Sequence, residues 1–273
     1  MKIGSNDIVD VKTGSTQVNK VYLGSNLVWS KVSDPILAYS PFNVWDSEHV
    51  TINEDVTTVL DYNEVGTKFD LSNQTASTQP VLNSSGSFNG LPSISFNGAT
   101  IIENLDGGFR DSDTTGMEIS VWKIQAGGSI FPLTNFETGS SLNYMGSLLA
   151  NVGNTPRMII RAGSNLKVYL GSTDVVTGSP KVVFVHAKTS SGSNAYQMRV
   201  NNSIEILNFT NGNSTGDLWY GTQSGKNQLA IGGRTTTSTS YSNIEWCFSG
   251  YFPYVSEENT TEIVNLLMTK YGI

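Results

Sequence analysis

The sequence is short of charge, of cysteine and histidine, and of long apolar runs, and each shortage excludes something. Its one cysteine, Cys247, cannot close a disulfide within the chain, and with only two histidines there is no Cys/His cluster for a thiolate zinc site. Cys247 reads as a small buried hydrophobe in a strand. Lys and Arg number 16 against 23 Asp and Glu, for a net charge of -7. No basic cluster is present to neutralise phosphates, so nucleic acid is not an expected partner. No stretch approaches the roughly 18 apolar residues of a membrane span, and Met1-Lys2-Ile3-Gly4-Ser5-Asn6-Asp7 lacks the apolar core of a secretory signal. No membrane span and no export signal are expected.

Charged residues make up only 14 % of the chain, well below the roughly 25 % of an average soluble domain. Ser, Thr, Asn and Gly fill the difference, and Thr, Val, Ile, Tyr, Phe and Trp are abundant, the residues that suit a pleated, half-buried surface. This is the composition of an all-β protein with a polar, uncharged exterior, as in extracellular proteins and virion parts. Joined to the missing export signal, it suits a particle assembled inside a cell and released from the host cytoplasm.

The N-terminus repeats at a period of ten: Gly4-Ser5, Gly14-Ser15 and Gly24-Ser25 each open a unit. Ile8, Val18 and Val28 lie four after each glycine, and Val11 and Val21 seven after, so each unit reads as a Gly-Ser turn followed by a short strand. So few large apolar side chains cannot make a stable fold alone. Residues 1–34 are therefore expected to be an anchor that docks on another chain, a second copy or a virion protein, through Val18, Val21, Tyr22, Val28 and Trp29. The plainer alternative is a meander packed on the following domain. A homo-oligomer is expected.

Ser33-Asp34-Pro35 marks the joint, and residues 35–273 show no second break in composition. Strands are predicted at Ser93–Phe96, Glu118–Trp122, Met158–Ile160, Leu166–Leu170, Val182–Val185, Tyr196–Val200 and Leu229–Ile231, separated by Gly, Asn, Ser and Asp clusters. One helix is predicted, with Ser256 as its N-cap, Glu257 and Glu258 in its first turn, Ile263, Leu266 and Leu267 on one face, and Lys270 and Gly272 at its end.

Three blocks carry a resemblance. The first is Trp45-Asp46, Phe69-Asp70-Leu71-Ser72-Asn73-Gln74-Thr75, Gln79-Pro80-Val81-Leu82 and Asn89-Gly90-Leu91-Pro92-Ser93-Ile94-Ser95-Phe96-Asn97-Gly98. The second is Tyr196-Gln197-Met198-Arg199-Val200-Asn201-Asn202. The third joins Leu229-Ala230-Ile231-Gly232-Gly233-Arg234 to Phe248-Ser249-Gly250-Tyr251-Phe252 and the terminal Ser256 to Ile273. In order and spacing they resemble the concanavalin A-like lectin/glucanase (laminin-G-like) jelly roll common among phage and bacterial surface proteins. Residues 20–29 also resemble short segments of phage tail and head-fibre proteins. The resemblance implies a two-sheet antiparallel jelly-roll sandwich with a short C-terminal helix, preceded by the small repetitive β segment.

For function it implies a non-enzymatic virion fibre or decoration protein whose lectin-like domain binds host surface polysaccharide. A purely structural virion scaffold is the alternative, and a glycan hydrolase a third. Relatives that cleave glucans carry Glu-x-Asp-x-Glu or Glu-x-Asp-x-x-Glu, because retaining hydrolysis needs two carboxyls about 5 Å apart. This chain has neither triplet and no Gly-x-Ser-x-Gly elbow. Its acidic pairs, Glu54-Asp55, Asp111 with Asp113 and Glu257-Glu258, fall in turns or at a helix start, and His49 and His186 read as structural. No catalytic residue, metal ligand or cofactor is assigned. Asp106 to Asp113 offers oxygen ligands for Ca²⁺, as in some relatives, without an EF-hand spacing, and a solvated loop is the plainer reading. Trp219, Tyr220, Tyr241 and Trp246, beside Gly- and Ser-rich loops, are the aromatics expected to stack on a sugar, with Trp45 and Trp122 left to the core.

Overall fold

The computed structural model describes the backbone of the strand pairs between Lys2 and Ser30, and residues 34–273 apart from 64–67, 74, 106–108, 111, 127–129, 137–142, 150–153, 191–194, 213–217, 221–227 and 236–238. The chain forms two compact units, Met1–Ala38 and Tyr39–Ile273.

The first unit contains three hairpins, β1 (Lys2–Ile3) with β2 (Asn6–Asp7), β3 (Val11–Thr13) with β4 (Thr16–Val18), and β5 (Lys20–Leu23) with β6 (Asn26–Ser30). Ile3 pairs with Asn6, Thr13 with Thr16 and Leu23 with Asn26. Two residues separate the partners each time, and in sequence they are Gly-Ser, a pair suited to a two-residue hairpin connection. One strand was expected after each Gly-Ser; the structure has one on either side. The side chains of Val18, Val21, Tyr22, Val28 and Trp29 lie outside the described residues.

The second unit runs through β7 (Asn43–Asn53), β8 (Val56–Asp61), β9 (Leu71–Ser72), β10 (Val81–Asn83), β11 (Ser93–Asn97), β12 (Ile102–Asn104) and β13 (Gly116–Ile124). It continues with β14 (Thr134–Phe136), β15 (Asn143–Leu149), β16 (Pro156–Ala162), β17 (Asn165–Leu170), β18 (Lys181–Lys188) and β19 (Tyr196–Val200). Then come β20 (Ser203–Ile204), β21 (Asn208–Gly212), β22 (Gln228–Ile231), β23 (Gly233–Thr235), β24 (Thr239–Tyr241), β25 (Asn243–Phe252) and α1 (Glu257–Tyr271). All seven predicted strands are present.

The pairings are antiparallel and build two layers. One follows the order β20-β19-β18-β13-β25, with β11 and β7 sharing the far edge of β25 and β10 outside β11. The other follows β8-β9-β12-β22-β14-β15-β16-β17-β21. The long β7, with a register shift between Trp45 and Val50, passes from the first layer to the second.

Alternation along the strands fills the space between the layers. Trp122, Phe184, Met198, Ile244 and Trp246 from one side meet Val59, Leu71, Ile102, Met158, Ile160, Leu229 and Ile231 from the other. Each such side chain contributes roughly 1.5–3 kcal/mol on burial. Trp45 and Trp122 belong to this core as expected, and Cys247 is buried on β25.

α1 begins as predicted, with Ser256 Oγ accepting from the Asn259 N–H, and ends at Gly272 in the left-handed conformation (φ 66°) that glycine adopts without strain. It buries Ile263, Val264, Leu267 and Tyr271, and its Thr260 hydroxyl meets the Met117 sulfur on β13. Leu266, expected on the buried face, is exposed.

Candidate functional site

Three of the four aromatics expected to stack on a sugar are buried completely, Trp246 by its inward position on β25 and Trp219 and Tyr220 in a short segment drawn into the core. Trp246 points inward from β25 and donates its indole N–H to Ser249 Oγ at 2.9 Å. Trp219 donates to the Tyr251 hydroxyl at 2.9 Å, and Tyr220 to Glu118 Oε2 at 2.7 Å. A ring needs an open face to hold a sugar, so Trp219, Tyr220 and Trp246 are corrected to core residues.

Glu118 on β13 and His186 on β18 are cross-strand partners, their side chains 2.8 Å apart and both buried. The Leu218 N–H donates to the Tyr196 hydroxyl at 3.1 Å, and the His186 ring meets Trp219 edge-on. Burial, and then the charge of Glu118, push the Tyr220 phenol well above its usual range. This network ties the segment Leu218–Tyr220 to both walls of the sandwich and presents nothing to solvent. It is a brace rather than a site.

The fourth aromatic, Tyr241, is partly buried and packs with Ile101, Phe136 and Ala230 in a cluster separate from the main core. That cluster lies on the other side of the second layer, its outward face. Register defines this face residue by residue. Ser72 pairs with Glu103, Glu103 with Ala230, Ala230 with Thr134, Thr134 with Gly146, Gly146 with Ile159, and Ile159 with Val168. Paired residues of antiparallel strands project to the same face, so these form one row across seven strands. A second row beside it runs Gln228, Phe136, Tyr144, Arg161 and Leu166.

The middle of the first row is small, Ala230, Thr134 and Gly146. A Cβ added to Gly146 would stand 2.8 Å from Thr134 Oγ1, so glycine is required there by its neighbour. This part of the face is polar and buried. Glu103 is 7 %, Gln228 6 % and Thr134 0 % exposed. Burial raises the Glu103 carboxyl above its ordinary value. The Thr134 hydroxyl has no hydrogen-bond partner among the described residues. Arg157 and Arg161, two on either side of Ile159, are only partly buried and share its face. The short pair β23–β24 brings in Tyr241, and Arg234 of the same pair lies 5.4 Å over the Phe131 ring.

Glu103, Thr134, Gln228 and Arg161 were missed in the sequence reading. The signal was available only in part. In Arg157-Met158-Ile159-Ile160-Arg161 the inward Met158 and Ile160 leave both arginines outward, a period of two that is legible. Glu103, Thr134 and Gln228 sit in strands of three or four residues, too short to show a period.

Elsewhere Glu245 and Asp46 are engaged by several donors each. Glu245 accepts from Ser87 N–H, Ser87 Oγ and Ser93 Oγ. Asp46 accepts from the Glu48 and His49 backbones, with His49 Nδ1 at 2.7 Å and Lys270 Nζ at 3.3 Å. In the loop expected to suit Ca²⁺, Asp106, Gly107, Gly108 and Asp111 lie outside the described residues, while Asp113 pairs with Arg110 at 2.9 Å. No three His, Cys, Asp or Glu side chains gather as a metal site among the described residues, and no helix there is long and apolar enough to cross a membrane.

No protein-family model matches the chain, and no curated protein does. Solved structures do. The Ruminococcus gnavus IT-sialidase CBM40 superposes with a TM-score of 0.51 at 11 % identity, over 64 % of this chain and 96 % of that domain. The same module bound to alpha2,3 sialyllactose gives 0.51 at 12 % identity, again over 64 % and 96 %. The binding domain of botulinum neurotoxin DC, in complex with SialylT, gives 0.51 at 7 % identity, over 83 % of this chain and 51 % of that one. At these identities the likeness is one of fold, and the fold is a β-sandwich shared with carbohydrate-binding domains.

Proposed function

We propose that the sandwich unit binds glycan without cleaving it, through the outward face of the second layer, and that the hairpins of the first unit attach it to a larger assembly. The observation that carries the first part is the β-sandwich shared with carbohydrate-binding domains, and the polar side chains on the outward face of its second layer add to it. A sheet face meant only to be covered by its own chain is apolar, because each buried polar group lacking a partner costs about 1–3 kcal/mol. Here Thr134, whose hydroxyl has no partner among the described residues, stands beside Glu103 and Gln228, in a sandwich shared with carbohydrate-binding domains. Polar groups placed on a largely apolar floor are the usual means of orienting a ligand. Glu103 is the one carboxylate in the two rows, whereas retaining or inverting hydrolysis calls for a pair, which favours binding over catalysis.

The assembly is a phage particle in this reading, because a secreted-looking composition accompanies a repetitive docking segment. Three separate two-stranded hairpins leave strand edges that invite pairing with another chain. A glycan array probed with the full chain tests the first part. Reproducible binding that weakens in Gln228→Ala supports it, and silence across host surface polysaccharides sinks it. Incorporation into purified particles tests the second, which fails if removing residues 1–30 leaves incorporation unchanged. The competing reading is a scaffold with no glycan ligand, favoured by the burial of Trp219, Tyr220 and Trp246.

A further inference from the structure

We propose that Asn89-Gly90 is a self-modifying site: the Asn89 side chain closes on the Gly90 backbone nitrogen, hydrolyses to aspartate or isoaspartate, and in doing so loosens the C-terminal end of α1. This stands apart from glycan binding and does not depend on it. Asparagine is a chemically labile residue, and a following glycine favours the reaction because it has no side chain to obstruct ring closure. The sequence has three such pairs, Asn89-Gly90, Asn97-Gly98 and Asn211-Gly212, and the fold treats them differently.

Asn89 and Gly90 form an exposed tip in the connection between β10 and β11. Both have positive φ, 56° and 75°, and the Leu91 N–H donates to the Phe88 carbonyl across them at 2.9 Å, the marks of a type I′ turn. The Gly90 N–H, the attacking group, has no hydrogen-bond partner among the described residues. Asn97 and Gly98 are exposed as well, and each pair follows a phenylalanine, Phe88 or Phe96. Neither exposure nor the preceding residue separates them, but hydrogen bonding does. The Gly98 N–H is committed to the Ser242 carbonyl at 2.9 Å, and Asn97 Oδ1 accepts from the Ala99 N–H at 3.0 Å. Asn211 and Gly212 lie within β21, paired with Val168 and Lys167 of β17.

The reaction needs only water. The Gly90 nitrogen gives up its proton to solvent and attacks Asn89 Cγ; a C–N bond forms, the bond from Cγ to Nδ2 breaks, and Nδ2 leaves as ammonia. Water then opens the succinimide at either carbonyl. One opening gives aspartate in the ordinary chain, and the other gives isoaspartate, whose side-chain carbon has entered the backbone.

The change is felt at α1. Asn89 Nδ2 donates to the Lys270 carbonyl at 3.3 Å, and a Cβ added to Gly272 would stand 3.2 Å from Asn89 Cβ, so this side chain packs on the end of the helix. Beside it, buried Phe88 meets Tyr271 edge-on. The product replaces a donor with a carboxylate facing carbonyl oxygens at the negative end of the helix dipole. The cations nearby are Lys270, held by Asp46 and Glu48, and Lys181, whose Nζ donates to the Gly272 carbonyl at 3.1 Å. A carboxylate that drew Lys181 to itself would take a second donor from the same helix end.

The test incubates the full chain in mildly alkaline buffer, folded and in denaturant, and follows each pair by peptide mapping with mass detection. In the folded chain Asn89 should lose its amide at least about fivefold faster than Asn97, whose neighbour must first break a hydrogen bond, and in denaturant the two rates should converge. Asn89→Asp should melt about 1–3 °C below the parent. The parent's melting temperature should drift downward during incubation, while that of Asn89→Gly, which suits the left-handed turn and cannot react, stays where it began. Equal rates at Asn89 and Asn97 in the folded chain, or a slower one at Asn89, overturn the site. An Asn89→Asp protein that melts at or above the parent overturns the link to α1.

Discussion

Two polar regions of the sandwich differ in how far their own chain answers them. Between the layers, Glu118 is met by His186 and Tyr220, and at the layer edge Glu245 and Glu205 are met by serine and threonine donors on facing loops. On the outward face of the second layer, the Thr134 hydroxyl and the Arg161 Nε have no partner among the described residues, a lack that Glu118 Oε1 and Trp122 Nε1 share between the layers. The difference is one of degree, in how many of a polar group's bonds its own chain supplies. A buried polar group answered by its own chain strengthens the structure, and one left unanswered costs stability unless a ligand completes it.

The contrast breaks most visibly at Glu118. Glu118→Ala would leave the His186 ring and the Tyr220 hydroxyl without their shared acceptor inside the core. Unfolding by denaturant should show a loss of about 3 kcal/mol or more, since two donors are stranded and a cavity opens. A loss under about 1 kcal/mol would mean the network is not a brace.

Next in size comes a pair of substitutions expected to act with opposite sign. For Glu245, burial draws the carboxyl upward, but bonds from Ser93 Oγ, Ser87 N–H and Ser87 Oγ outweigh it and leave it below the ordinary value. Its folded state holds fewer protons than the unfolded one, so its contribution is full above the unfolded value of about 4.3 and fades as pH falls through the lowered folded value. Glu245→Gln should therefore cost about 1–2 kcal/mol at pH 7 and little in acid. Glu103 runs the other way. Its carboxyl is raised by burial, so the charged form destabilises the fold above that raised value, and the penalty disappears as pH falls through it. Glu103→Gln should raise the melting temperature slightly at pH 7 and leave it unchanged once Glu103 is protonated. Two losses, or two gains, would erase the distinction between the regions.

Asp46 sharpens the acid side of the same curve. Burial opposes its ionisation, yet the His49 hydrogen bond and the charges of Lys270 and His49 hold it below the ordinary value. Parent stability should decline as pH drops below about 4, with a shallower decline in Asp46→Asn, because the link from β7 to Lys270 of α1 no longer titrates.

How much of this was legible before the structure follows from element length. Glu118–Trp122 was readable because its five residues alternate polar and apolar, Val182–Val185 because its four are β-branched or aromatic, and α1 because Ser256, the two glutamates and Gly272 punctuate it. The Gly-Ser repeat was visible, but not that each pair sits between two strands, since Val11-Lys12-Thr13 carries no apolar pattern of its own. Trp219 and Tyr220 misled because they stand among Gly, Asn and Ser, the marks of a surface loop, while polar bonds from Tyr196, Glu118 and Tyr251 draw that short segment inward. The outward face was illegible for a different reason. Its floor is assembled from seven strands whose adjacency is set by register, and Glu103, Ala230, Thr134 and Gly146 stand far apart in sequence.

The smallest change in stability is expected at Thr134, and it carries the most information. Thr134→Val keeps the branched shape that fits beside Gly146 and replaces the hydroxyl with a methyl. A hydroxyl bonded within the fold would be missed at about 1–3 kcal/mol, whereas one buried without a partner is already a burden, and its removal should be neutral or stabilising by less than about 1 kcal/mol. At Glu118, by contrast, stability should fall. A Thr134→Val protein that unfolds about 2 kcal/mol more easily would show that the hydroxyl serves the fold, and the outward face would then be built on the same terms as the core.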